Sequence, residues 1–252
     1  MLRKFLLLSV AALSICVSVS RPALALDEAE TQEIETVIRD YLLRNPEVLL
    51  EALDVLETRR AEEARVAQGT ALESAGPQLT SSPDGTVLGN PDGDVTLVEF
   101  FDYNCGYCKR ALADKDTLLA NDPQLRIVLK EIPVLGPPSE AAARVSLAVR
   151  ATAPTQYAEF HNRLLASRGV ADEARAYAVV QELGIDEAGV RAAVDTPAVA
   201  QALEESGRLA GLLQIDGTPT YVLGNEIVPG AVGAEILAGK IANIRECGRT
   251  AC

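Results

Sequence analysis

Apolar residues follow two spacings along this chain, and the change from one to the other divides it. Ile34, Val37, Ile38, Tyr41 and Leu42 recur at intervals of three and four, which predicts an amphipathic helix. Asn45-Pro46 breaks that run and restarts it as cap and first helical residue. Val48, Leu49, Ala52, Leu53 and Leu56 then form a second stripe, followed by the polar tract Glu57 to Gln68. Two short amphipathic helices need a cover for their apolar faces, either their own domain or another subunit. Gly69 to Asp84 holds Gly76-Pro77 and Ser82-Pro83-Asp84-Gly85 and reads as linker and turn. The predicted organisation is a helical segment over 26–68, a linker over 69–85 and a body over 86–252.

In the body the pattern turns to short continuous apolar runs. Thr86 to Leu88 reads as an edge strand and Val95 to Phe101 as a central one. A helix opens at Cys105 and continues from Lys109 to Leu119, and Leu125 to Ile132 is a second buried strand. This βαβ unit should close in parallel with a right-handed crossover. A helical block over about 138–213 follows. Tyr157, Phe160, His161, Leu164 and Leu165 form one stripe, Asp172 and Asp186 serve as caps, and Thr196-Pro197 opens the last helix. Gly217-Thr-Pro-Thr220 leads into Tyr221 to Leu223, a Gly224-Asn225 turn and Ile227-Val228. The last helix, Ala234 to Glu246, carries Ile236, Leu237, Lys240 (by its aliphatic stem), Ile241 and Ile244 on one side. The order predicts an α/β fold, a thioredoxin-like sheet with a helical insertion, preceded by a helical segment.

The first 25 residues have the pattern of a secretory leader. Arg3 and Lys4 are basic, Phe5 to Val19 is apolar, and Ala23-Leu-Ala25 is a small-x-small cleavage site. An export signal rather than a membrane span is expected, since the run is short. A lipoprotein reading of Leu13-Ser-Ile-Cys16 is weakened by the bulky Ile15. Cleavage would remove three basic residues and no acidic ones, moving the formal charge from -13 to -16. So acidic a product repels nucleic-acid phosphates and anionic lipid, and no nucleic-acid partner is expected.

Four cysteines remain: Cys105, Cys108, Cys247 and Cys252. An even number in an oxidising compartment fits two disulfides, one redox-active and one structural. Cys105-Gly-Tyr-Cys108 stands where a strand meets a helix. A thiol in the first helical turn meets free backbone N–H groups and the positive end of the dipole, which favour thiolate. Cys108 lies one turn on and can close a disulfide with it. The competing zinc reading lacks a second ligand pair at a fitting distance, so neither metal nor cofactor is expected. Cys105 is then the nucleophile, and Cys108 the resolving thiol packed one turn in. Glu99 interrupts an apolar strand two residues before Phe101. It either faces solvent at an edge or lies beneath the active-site helix, where it could exchange a proton with Cys108, with Lys130 as charge partner. Thr218-Pro219 is an ordinary turn, or a cis bond that exposes the Thr218 backbone to an extended substrate beside Cys105. His161 and Tyr157, at i and i+4, read as a packing pair. Cys247 and Cys252 are close enough to bridge, as a structural clip or as an accessory dithiol.

Val98-Glu-Phe-Phe-Asp-Tyr-Asn-Cys-Gly-Tyr-Cys-Lys109, Tyr157-Ala-Glu-Phe-His161 and Gly217-Thr-Pro-Thr-Tyr-Val-Leu-Gly-Asn225 together resemble the DsbA-like thiol–disulfide oxidoreductases of the bacterial cell envelope. The N-terminal helices make the likeness greatest to the ScsC and Com1-like branch. The resemblance implies a periplasmic enzyme that forms, reduces or isomerises disulfides. It gives Cys105 as attacking thiol, Cys108 as its partner, Glu99 as buried acid and Pro219 as cis proline. Gly106, Tyr107 and Thr218 would meet substrate. Gly106-Tyr107 departs from the Pro-His of the principal oxidase, and Thr218 is similar to isomerase-type members, so the direction of flux stays open. The implied partners are unfolded or misfolded envelope proteins and a membrane or periplasmic redox protein. Residues 27–68 would mediate self-association, which in that branch is associated with trimers. Two other classes stay in play, a small-molecule disulfide or peroxide reductase and a non-enzymatic holdase.

Overall fold

The computed structural model describes residues 27–252, so the leader expected over 1–25 and Cys16 lie outside the described residues. The chain divides into two compact units between Arg59 and Arg60. In the first, α1 (Glu28–Arg44) opens on a capping box. The Asp27 side chain accepts the Glu30 N–H at 2.8 Å, and the Glu30 carboxylate accepts the Asp27 N–H at 3.0 Å. Asn45 caps its far end, and α2 (Glu47–Thr80) follows. No residue of α1 is buried. Ile34, Val37, Ile38, Tyr41, Leu49, Leu53 and Leu56 are 40% to 60% exposed, so both predicted apolar stripes face outward.

The second unit takes in the rest of α2, and here the linker expectation is corrected. Residues 69–80 are helical, with a kink at Gly76 (φ 46°, ψ -140°), a backbone shape that glycine adopts without strain. Pro77 restarts the helix, where its missing N–H costs nothing. Leu72, Ala75 and Leu79 keep helical spacing and pack on an apolar sheet face of Val98, Phe100, Val128 and Val222. Burial of that stripe holds the segment helical despite its glycine and proline.

The sheet contains β1 (Leu88–Gly89), β2 (Val95–Phe101), β3 (Leu125–Glu131), β4 (Thr220–Leu223) and β5 (Glu226–Pro229), in the order β1-β3-β2-β4-β5. The edge strand begins at Leu88 rather than Thr86. β2 and β3 are parallel, and the other pairings are antiparallel. α3 (Gly106–Asn121) joins the parallel pair, as their connection requires. The insertion consists of α4 (Pro137–Thr152), α5 (Tyr157–Ala166), α6 (Glu173–Glu182), α7 (Glu187–Val194) and α8 (Pro197–Leu212). Asp172 and Asp186 cap α6 and α7 through their side chains, whereas Thr196 makes no such bond to α8. α9 (Ala234–Cys247) closes the chain.

Strand alternation sends β2 residues to opposite faces of the sheet. Val98 and Phe100 join the core covered by α2 and α8. Leu97 and Phe101 join the larger core, shared with α3, most of the insertion and α9. Glu99 lies between them and faces that larger core. The result is a thioredoxin-like α/β fold with a helical insertion and preceding helices.

Candidate active site

β2 ends at Phe101, and the turn that follows is fixed by its own side chains. Asp102 Oδ1 accepts the Asn104 N–H at 2.7 Å and the Ser139 hydroxyl at 2.8 Å, while Oδ2 accepts the Leu135 N–H at 3.0 Å. Asn104 donates to the Ala171 carbonyl at 2.8 Å and accepts the Ala171 N–H at 2.7 Å. Two loops and the first turn of α4 are thereby tied to the turn that presents Cys105. The sequence reads Asp102 and Asn104 only as residues of the turn after the strand.

Cys105 is the N-cap of α3, with its sulfur 3.4 Å from the Cys108 backbone N–H. The Cys105 thiol also donates to the Thr218 carbonyl at 3.1 Å, and the Thr218–Pro219 peptide bond is cis. Residues 113 positions apart thus meet at one sulfur. Cys105 is 6% exposed and Cys108 is 0% exposed, and both thiols are free. Burial pushes the Cys108 thiol well up from its usual range, and the nearby Glu99 charge adds to this. Cys108 therefore holds its proton until the reaction provides a reason to release it. Gly106 and Tyr107 are exposed, and the Arg110 guanidinium lies 4.2 Å from the Tyr107 ring centre. Lys109 donates to the Ser167 and Gly169 carbonyls at 2.9 and 3.1 Å, bracing the helix start.

Glu99 is fully buried, and its partner is Lys115 rather than the expected Lys130. The Lys115 ammonium donates to Glu99 Oε2 at 2.6 Å, and its side chain is 1% exposed. Sheet register excludes Lys130. It pairs with Phe100 while Leu129 pairs with Glu99, so Lys130 points to the opposite face. There it donates to the Gln78 and Ser81 carbonyls and to Glu205. Lys115 follows Cys108 and Ala111 on the buried stripe of α3, at spacings of three and four. That periodicity was the available signal for it. His161 packs beside Tyr157 as expected, with ring centres 6.3 Å apart, but packing is not all it does. It is fully buried, with Nε2 3.1 Å from the Lys115 ammonium and Nδ1 3.2 Å from the Tyr103 hydroxyl.

Cys247 and Cys252 are bonded at the end of α9, with Cα atoms 6.2 Å apart, and both are exposed. They form a second sulfur pair, separate from the free thiols of Cys105 and Cys108.

Such an arrangement can exchange a disulfide. A thiolate at Cys105 would attack a substrate disulfide and form a mixed disulfide while one substrate sulfur leaves. Cys108 would then attack Cys105, release the second substrate sulfur and close the Cys105–Cys108 bond. Run backwards, the same two steps oxidise a substrate dithiol.

Residues 96–242 match the DSBA-like thioredoxin domain, and residues 30–63 match the copper resistance protein ScsC N-terminal domain. A thioredoxin-like oxidoreductase from Silicibacter pomeroyi DSS-3 is 37% identical, with a TM-score of 0.61 over 66% of this chain and 99% of that one. Proteus mirabilis ScsC, in a transitional conformation, is 30% identical, with a TM-score of 0.61 over 85% of this chain and 94% of that one. A Na(+)/H(+) antiporter NhaA of Herminiimonas arsenicoxydans is 27% identical over 165 residues, which are 65% of this chain and 26% of the antiporter. This chain thus spans about a quarter of the length of the curated relatives it matches. The two matched regions follow one another in the order in which the helical segment precedes the Cys105–Cys108 domain, and on that ground the chain belongs to the DsbA-like thioredoxin-domain family with an ScsC-type N-terminal extension.

Proposed function

We propose that this protein is a thiol–disulfide oxidoreductase that acts on polypeptide cysteines of exported proteins, with Cys105 as nucleophile and Cys108 as resolving thiol. The observation that carries this reading is the meeting of Cys105 Sγ, at the start of α3, with the Thr218 carbonyl before cis-Pro219. A helix start favours the thiolate on which exchange depends. Extended backbone beside Thr218 could seat a substrate cysteine against Cys105. Tyr107, Val134, Leu135 and Val170 are more than half exposed. Asp102 and Asn104 bond to the loops that carry the last three, which offers apolar side chains to an unfolded chain rather than a closed pocket to a small molecule. That favours a protein substrate over a peroxide or a small disulfide.

The exposed stripes of α1 and early α2 support a second element, self-association through residues 27–68. The Ala23-Leu-Ala25 pattern supports export. Cys247–Cys252 is read as a clip on the end of α9. The direction of flux follows from the reduction potential, which Gly106-Tyr107 should leave less oxidising than a dipeptide containing histidine. The test is equilibration with glutathione, followed by turnover on a dithiol peptide and on a protein with scrambled disulfides. Exchange that depends on Cys105 and exceeds that of glutathione alone is expected. No acceleration of either substrate would overturn the reading.

A further inference from the structure

A run of buried polar groups continues beyond Glu99, and the two exchange steps at Cys105 and Cys108 do not use it. The Lys115 ammonium donates both to Glu99 Oε2 at 2.6 Å and toward His161 Nε2 at 3.1 Å. An imidazole that accepts at Nε2 carries its proton on Nδ1, and that N–H reaches the Tyr103 hydroxyl at 3.2 Å. Tyr103 then donates to Ser146 Oγ at 2.7 Å, and Ser146 donates to Glu131 Oε1 at 3.0 Å. Beyond Lys115 each donor is used once, and from Lys115 through His161 all point toward the Glu131 carboxylate. Every one of these residues is at most 1% exposed. Glu131 Oε2 lies 3.9 Å from the guanidinium of Arg150, whose side chain is 14% exposed. Arg150 in turn lines an open cavity of about 310 Å³ with Lys130, Glu205 and Ser206.

We propose that His161, Tyr103 and Ser146 form a proton relay that links Glu99, beneath Cys108, to Glu131 and the surface at Arg150. The proposal rests on the oxidoreductase reading above. When Cys108 attacks the mixed disulfide, its thiol gives up a proton to the Glu99 carboxylate. Lys115 passes a proton to His161 Nε2, His161 passes its Nδ1 proton to Tyr103, Tyr103 passes its own to Ser146, and Ser146 passes its own to Glu131. Glu99 then returns its proton to Lys115. The net change is a Cys108 thiolate and a protonated Glu131 in place of a thiol and a carboxylate. The Cys108 sulfur bonds to Cys105, the Cys105–substrate bond breaks, and the substrate sulfur leaves with the electron pair. Cys105 and Cys108 are oxidised together, and the substrate is reduced.

Burial of the run favours a concerted shift over a standing imidazolium. Burial, with the Lys115 charge, holds His161 well below the ordinary histidine range, and burial holds Tyr103 and Tyr157 well above that of tyrosine. The charged groups facing the run are Glu99 from β2, Lys115 from α3, Glu131 from β3 and Arg150 from α4. Tyr157 donates to Glu131 Oε1 at 2.8 Å but lies off the path, which makes it a control.

The test is single-turnover resolution of a Cys105–peptide mixed disulfide, followed by rapid quench in H2O and in D2O across pH. Tyr103→Phe and Ser146→Ala each interrupt the path by removing one hydroxyl. General acid–base assistance contributes about 10²- to 10⁴-fold, so each variant should slow resolution by about ten-fold or more. Each should also flatten the solvent isotope effect while leaving formation of the mixed disulfide unchanged. Tyr157→Phe should resolve at the wild-type rate. Resolution within two-fold of wild type in either folded path variant would overturn the relay, as would equal slowing in Tyr157→Phe. If Tyr103→Phe does not fold, Ser146→Ala decides. Failure of the wild-type chain to form a mixed disulfide at all would instead overturn the oxidoreductase reading.

Discussion

Lys115 and Glu99 are both buried, so removing one partner strands the other charge, whereas removing both does not. Lys115→Met should therefore cost roughly 3–5 kcal/mol in urea unfolding, and Glu99→Gln/Lys115→Met should cost less than the single change. A double variant no more stable than Lys115→Met would contradict a coupled pair. His161 gives a second prediction. Its folded-state value is depressed, so below about pH 6.5 the unfolded chain binds a proton that the folded chain does not. Stability present above that pH is lost as pH falls, by up to about 1.4 kcal/mol per pH unit. His161 is the sole histidine, so His161→Asn should flatten the slope between pH 6.5 and 5, as followed by urea midpoints. The residues that gather at the candidate site were legible because a CxxC at a strand-to-helix junction, a Glu in an apolar strand and a Thr-Pro before a strand are local signals. The partner of Glu99 was not. Choosing Lys115 over Lys130 depends on β2–β3 register, which places Lys130 opposite Phe100 and on the wrong face.

Elements were legible wherever apolar spacing was sustained, and misread where Gly and Pro interrupted it. Gly76-Pro77 has the composition of a turn, yet it produces a kink inside α2, because Leu72, Ala75 and Leu79 meet an apolar sheet face. That face is assembled from three strands, β2, β3 and β4, and could not be seen from residues 69–85 alone. If the segment is part of the fold, Leu79→Ala should destabilise the body by about 2–5 kcal/mol, as for other buried leucines. Denaturant titration of the chain would show it, and a change under about 0.5 kcal/mol is what a linker residue would give. The caps of α6 and α7 were readable from Asp172 and Asp186, since a side-chain cap is a local bond.

At the scale of the molecule, the succession of strand, helix, strand, helical block, hairpin and helix already described a thioredoxin-like sheet with an insertion. The outward apolar stripes of α1 and early α2 lead us to expect an oligomer from residues 27–252. Light scattering at micromolar concentration should show more than one chain per particle, and removal of residues 27–59 should return a monomer. A monomer of residues 27–252 would contradict that expectation. The central claim, however, is that Cys105 attacks and Cys108 resolves. It is tested most directly by mixing the Cys108→Ser variant with a peptide disulfide and locating the trapped adduct by peptide mapping. The predicted result is a stable mixed disulfide on Cys105, absent from Cys105→Ser. An adduct on Cys247 or Cys252, or no adduct on the folded variant, would contradict it.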